Sequence, residues 1–255
     1  MNGRLILRAE GLSKRFRGIR AVRDVALSVS AGEAVALIGP NGAGKTTLFN
    51  LIGGQLKPDN GRVELSGRDV TRQSPLQLWR DGVGRTFQIT AAFTSMSVRE
   101  NVQVALHARA GLAWRPFGRL GAAFGEEADH ILDLVGMREQ AERPCGILAY
   151  GDLKRVELAI ALAGAPTLLL MDEPTAGMAP GERVLLMGLA ASLAKRQNIA
   201  VLFTEHDMDV VFAHADRIIV LDRGAIIAEG APATIRSDPQ VRRIYLGAGL
   251  GSVAR

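Results

Sequence analysis

"EAVALIGPNGAGKTTLFNLIGG" occupies Glu33 to Gly54, and its reading decides the fold class of the chain. Ala34–Ile38 is an apolar run that reads as a buried strand. Gly39, Pro40, Asn41, Gly42, Ala43, Gly44, Lys45, Thr46 and Thr47 follow as a glycine-rich turn, and "TLFNLIGG" reads as the next helix. The spacing is G-x-x-x-x-G-K-[ST], a P-loop. Small residues let backbone N–H groups close on the β- and γ-oxygens of a phosphate chain. The following helix presents its positive end to the same charge. Lys45 adds a point charge, and Thr46 offers a hydroxyl to Mg²⁺.

A phosphate cradle of this kind needs a carboxylate on a second strand to hold the metal ion. "LLLMDE", Leu168 to Glu173, supplies one. Four apolar residues bury the strand, and Asp172 emerges at its C-terminal end, where ligands bind in open α/β sheets. Glu173, one residue on, is placed to accept a proton from an attacking water or to orient it. Two further polar residues end predicted strands. Gln88 closes "GVGRTFQ", and His206 closes "IAVLFTEH". Taken alone, each is an ordinary strand-end side chain. Placed on the same sheet edge, an amide at 88 can sense water and Mg²⁺, and an imidazole at 206 can hydrogen-bond a γ-phosphate.

The rest of the chain frames these residues. "RLILRAE", "AVRDVALSVS" and "EAVALIG" read as strands, and "PDNGRVELSG" as a turn and a short strand. A helix is predicted through Ser74–Asp81. Ser97 and Glu100 form a capping-box pattern that opens a helix through Leu106. Residues 109–125, rich in Gly, Arg and aromatics, read as an extended loop or a short interfacial element. After Cys145, apolar strands alternate with helices to the end, which indicates a mostly parallel α/β sheet. The expected plan is one domain over 1–255. Residues 1–89 and 150–255 form the core, and 90–149 form a helical subdomain.

Composition excludes several classes. Thirty-one basic and 26 acidic residues leave a net charge of +5, without the long like-charge block of a nucleic-acid tail. The single cysteine, Cys145, forms no internal disulfide and reads as a small buried side chain. The N-terminus lacks a secretory h-region, and no apolar run approaches the ~20 residues of a membrane span. The chain is expected to be cytoplasmic unless another protein holds it at a membrane.

In this order, the P-loop at 39–46, Gln88, a glycine turn at 148–152, the apolar strand at 167–172, Glu173 and His206 resemble the ATP-binding subunit of an ABC transporter. The resemblance covers nearly the whole chain. It implies an α/β P-loop NTPase fold, an ABC ATPase core with an N-terminal antiparallel β layer and a helical subdomain. ATP and Mg²⁺ would be the cofactors, with the metal ion on Thr46, Gln88 and Asp172. It also implies that Phe16 stacks on adenine with Val22 beside it, although Phe16 reads equally as a β-layer core residue.

Such subunits usually carry L-S-G-G-Q, and two copies pair head to tail so that this turn covers the ATP on the partner's P-loop. Here the turn is "LAYGD": Ala149, Tyr150 and Gly151 would face the nucleotide in trans. Ala149 lacks the serine hydroxyl, and Asp152 places a negative charge near a phosphate. The aspartate usual in the S-A-L-D loop is Ala179. The variant turn and the tail "SDPQVRRIYLG" are similar to the ATPases of branched-chain amino-acid importers. That resemblance implies integral membrane permease subunits, a second ATPase subunit (the same or a sister chain), an indirect link to a periplasmic binding protein, and a place on the cytoplasmic face of the inner membrane. Urea, another amino acid, or lipid and lipopolysaccharide export remain as substrate alternatives. A soluble nucleic-acid-associated ABC ATPase remains as a different class, although no zinc motif, coiled-coil insert or second cassette supports it. A non-hydrolysing regulator would lack Lys45 or Glu173, and both are present.

Overall fold

β1 (Leu5–Phe16) and β2 (Ile19–Ser30) pair antiparallel, with Leu7 opposite Val29 and Ala9 opposite Leu27. The computed structural model describes residues 3–86, 92–112 and 124–246 of the chain. Next come β3 (Ala34–Ile38), α1 (Lys45–Ile52), β4 (Asn60–Leu65) and β5 (Arg68–Asp69). The first sheet has the order β2-β1-β4-β5 and is antiparallel throughout.

α2 (Pro75–Arg80) starts where the sequence says it should: Ser74 and Gln77 cap each other, and Pro75 takes the first helical position. β6 (Val83–Thr86) follows. α3 (Val98–Arg109) opens on the predicted capping box and runs past Leu106. Ser97 Oγ accepts from Glu100 N at 3.2 Å, and Glu100 Oε2 accepts from Ser97 N at 2.8 Å. α4 (Gly125–Leu134) and α5 (Tyr150–Ala163) complete a helical group in which α3, α4 and α5 pack on one another. Most of 109–125, the stretch read as a loop or interfacial element, lies outside the described residues. Cys145 is buried against Asn101, as expected of a small apolar side chain, and burial pushes its thiol pKa up.

β7 (Leu168–Asp172), α6 (Pro180–Gln197), β8 (Ala200–Thr204), α7 (Met208–His214), β9 (Arg217–Asp222), β10 (Ala225–Gly230), α8 (Pro232–Ser237) and α9 (Pro239–Leu246) finish the chain. The second sheet has the order β10-β9-β3-β8-β7-β6. Its pairs are parallel except β9 with β10.

Strand alternation divides the core in two. Leu168 and Leu170 join Val35, Leu37 and the apolar face of α1 under the antiparallel sheet. Leu169 and Met171 join Ala36, Ile38 and the helices on the other face. Each fully buried Leu or Ile is worth about 1.5–3 kcal/mol, so both faces hold the sheet firmly. The next residue on β7, Asp172, therefore falls on the α1 side, at the strand's C-terminal end. Among the described residues, no helix is long and apolar enough to cross a membrane.

Candidate functional site

The P-loop is fixed by close backbone approach. A Cβ on Gly39 would lie 2.1 Å from Leu221 O, and one on Gly44 would lie 2.3 Å from Ala21 O; both glycines have positive φ. No other residue fits either place. Gly224 N donates to Ala43 O at 2.8 Å, which ties the loop to the β9–β10 turn. Gly44 is the left-handed cap of α1, so the helix begins at Lys45 with its first amide groups at the loop.

Lys45 is 7% exposed, and its Nζ donates to Gly39 O at 2.7 Å and Pro40 O at 3.2 Å. Burial holds its pKa below the usual lysine range, while Glu173 and Asp172 pull it back up. A buried cation next to two carboxylates and a ring of small residues fits a phosphate chain. Thr46 and Asn41 are exposed at the loop surface.

Asp172, also 7% exposed, accepts from Thr204 Oγ1 at 2.8 Å. The same hydroxyl oxygen accepts from Glu173 N at 2.9 Å. One threonine at the end of β8 thus sets both acids. Glu173 has φ 49°, a left-handed conformation that costs a non-glycine residue roughly 1–3 kcal/mol. That turn swings its carboxylate away from Asp172 and onto His206, whose Nε2 lies 2.8 Å from Glu173 Oε1. Glu205 holds the following loop, accepting from Thr175 N at 3.0 Å and Thr175 Oγ1 at 2.7 Å. Lys45, Asp172, Glu173 and His206 therefore converge at the C-terminal ends of β3, β7 and β8. Gln88, two residues beyond the end of β6, lies outside the described residues.

The donors suit Mg²⁺. Among the described residues no cluster of three or more His, Cys, Asp or Glu could hold a metal ion alone. One carboxylate and one hydroxyl, both hard oxygen donors, match an ion that takes its remaining ligands from phosphates and water.

Phe16 is exposed at the end of β1, with Lys14 Nζ 5.8 Å above its ring. Val22 is buried in the core beneath the first sheet, opposite Lys14 in the ladder, and lines a cleft of about 470 Å³ with Lys14, Arg15 and Arg23.

The glycine turn is built differently. Ala149 caps α5 with no side-chain hydrogen bond, because alanine has no oxygen to offer. Tyr150 donates to Ala176 O at 3.1 Å, with Lys154 Nζ 5.4 Å above its ring. Gly151 is buried under Glu182, whose Oε1 would lie 2.9 Å from any added Cβ. Ala179 caps α6, and its N donates to Glu182 Oε2 at 3.3 Å with nothing returned.

Sequence reading missed four groups that shape the site: Thr204, Glu205, Glu182 and Arg85. "FTEH" carried a signal for the first two. A run of polar residues leaving a buried strand beside the P-loop strand belongs at the site. Glu182 and Arg85 act across distances in sequence that no local pattern reveals.

A family model described as "ABC transporter" matches residues 22–176, and one described as "Branched-chain amino acid ATP-binding cassette transporter" matches residues 225–250. The chain is 41% identical to the high-affinity branched-chain amino acid transport ATP-binding protein BraF of Pseudomonas aeruginosa, covering 96% of this chain and 98% of that one. The crystal structure of the ADP conformation of an ATP-binding cassette of an ABC transporter is similar at a TM-score of 0.85 and 35% identity, over 95% of this chain and 99% of that one. A dimeric cassette in a post-hydrolysis state, bound to ADP and Pi, is similar at a TM-score of 0.74 and 26% identity, over 89% and 99% of the two chains. By sequence, fold and the layout of its phosphate loop, this chain belongs to the ABC transporter family, as an ATP-binding cassette subunit.

Proposed function

We propose that this subunit powers the uptake of branched-chain amino acids. It binds and hydrolyses ATP and works with membrane permease partners. The substrate class rests on the relatives' names and on the C-terminal family match at residues 225–250. Residues 90–149 are read as the helical subdomain that docks on the permease at the cytoplasmic face. The second ATPase is a head-to-tail partner, the same chain or a sister, and a periplasmic binding protein supplies the solute. The dimeric post-hydrolysis cassette among the similar structures supports the pairing.

The observation that carries the hydrolytic reading is the Glu173–His206 contact beside Asp172. Glu173 accepts the proton of the attacking water, and His206 holds that carboxylate while presenting its imidazole to the γ-phosphate. Lys45 and the loop amides of Gly39–Thr47 hold the phosphate chain. Phe16 stacks on adenine, and Val22 supports it. Ala149, Tyr150 and Gly151 meet the partner's nucleotide. Thr46, Gln88 and Asp172 are the residues that would hold Mg²⁺, which supplies Lewis-acid charge to the phosphate oxygens when bound.

The test is uptake of labelled leucine, isoleucine and valine in a strain lacking parallel systems. Deletion of the gene should reduce it, and the wild-type gene should restore it where a Lys45→Ala copy does not. Normal uptake after deletion would remove the substrate class and leave the ATPase standing.

A further inference from the structure

Arg85 belongs to none of the motifs above, yet it faces the helix and the strand that carry two of them. It lies on β6 with its side chain 14% exposed, on the same face as Val83 and toward α1. Its Nη2 donates to Asn50 Oδ1 at 3.0 Å, and Nη1 donates to Gln55 Oε1. Nη2 is also 3.7 Å from Asp172 Oδ2. Asn50 is on the helix that begins with Lys45 and Thr46, and Gln55 is in the turn just after it.

This geometry is specific. At 3.7 Å the guanidinium is too far to hydrogen-bond Asp172 but close enough to offset its charge. Oδ1 is already taken by Thr204. One acid oxygen is therefore pinned by β8, and the other faces a cation without being captured by it. A buried arginine is costly unless it is paired and hydrogen-bonded; here Asn50 and Gln55 accept from its two terminal nitrogens, and Asp172 supplies the opposing charge. Burial weakens the arginine's hold on its proton, and Asp172 opposes that effect.

We propose that Arg85 is a positioning residue for ATP hydrolysis. It is a built-in counter-cation that ties the P-loop helix to β6 and moderates the pull of Asp172 on the divalent ion. The proposal rests on the reading of Asp172 as the metal-binding carboxylate. Too strong a hold would fix the ion through the whole cycle, and a loose carboxylate would not place it. Arg85 sets both terms at once.

The test compares ADP affinity, by calorimetry, in EDTA and in excess Mn²⁺. The ratio of the two constants reports the coupling between metal ion and nucleotide. Arg85→Met removes the charge, and Arg85→Gln removes it while keeping an amide for Asn50 and Gln55. In both, the ratio should rise at least about ten-fold, because Asp172 no longer shares its field with a cation. Arg85→Lys keeps the charge and should hold the ratio within about two-fold of wild type. All three should turn over ATP about ten-fold more slowly, since none can bridge Asn50, Gln55 and Asp172 together. Damage to packing alone weakens binding and does not strengthen metal coupling, so the ratio separates the two roles. An unchanged or lower ratio in a folded Arg85→Gln or Arg85→Met protein overturns the proposal. Asp172→Asn should collapse the ratio. If it does not, the metal reading of Asp172 fails, and that failure is visible apart from the behaviour of Arg85.

Discussion

The loop at Gly39–Thr47 and the turn at Ala149–Asp152 both place glycine at the head of a helix, and they are built in opposite ways. The loop is welded into the parallel sheet: Ala43 is held by Gly224, and Lys45 is folded back and buried beside Asp172 and Glu173. The turn is exposed at Ala149 and Tyr150, its helix has no side-chain cap, and its contacts run to Ala176, Gly177 and Glu182. Among the described residues, no hydrogen bond joins the turn to the loop. A site whose parts end adjacent strands completes itself when the chain folds. A helix head left open to solvent has its first N–H groups free for water or for another molecule. The proposed division of labour follows this difference: the loop's chemistry is held within one chain, and the turn's is assigned to a pair.

The largest expected effects lie in the self-contained half. Lys45→Ala should abolish ATP turnover, because it removes the buried charge at the loop mouth. A purified variant with wild-type rates would break the assignment. Glu173→Gln keeps the shape and loses the proton acceptor, so hydrolysis should fall by about 10²–10⁴-fold while ATP still binds. Size-exclusion with ATP should show that variant shifting toward a dimer, whereas fast turnover would remove the role of Glu173.

The turn should respond differently. Gly151→Asp places a carboxylate against Glu182 within the same chain as well as against a partner's phosphate. Made together with Glu182→Gln, the substitution isolates the second effect. ATP affinity of the lone subunit should stay near wild type while turnover and ATP-driven pairing are lost. A lowered melting temperature with full turnover per folded molecule would mean that the turn only starts a core helix.

Tyr150→Phe removes one hydrogen bond, to Ala176 O, of about 0.5–1.5 kcal/mol. Turnover should fall only a few-fold, with hydrogen exchange accelerated at 176–178. Unchanged exchange there would show that the hydroxyl does not tie the turn to the segment after β7. The smallest effect runs the other way. Ala149→Ser supplies the missing cap of α5 and should raise stability by about 0.5–2 kcal/mol, read as a higher melting temperature.

Much of the first half was legible in the sequence, because its signals are local. The strand–loop–helix pattern at 34–52, the apolar run ending at Asp172 and the capping box at Ser97–Glu100 each carry their own physical cause within a dozen residues. Other features were not legible, because their partners are distant. The left-handed turn at Glu173 depends on Thr204, and Arg85 reads as one more strand residue until β6 brings it against Asn50 and Asp172. The length of α3 beyond Leu106 also escaped, since Arg109 is held by Ala163 O from a helix far along the chain.

The central claim is that the loop of one copy and the turn of another make one site, and mixing two inactive proteins tests it directly. One carries Lys45→Ala, and the other carries Gly151→Asp with Glu182→Gln. In a head-to-tail pair of unlike copies, one site inherits both defects and the other inherits neither. Equal parts should therefore recover up to about a quarter of wild-type ATPase activity, since half the pairs are mixed and each has one sound site of two. If both proteins are folded and the Gly151→Asp, Glu182→Gln protein binds ATP near wild type, yet the mixture shows no more activity than the two measured separately, the turn does not act on a partner's nucleotide and the account of two complementary halves is wrong.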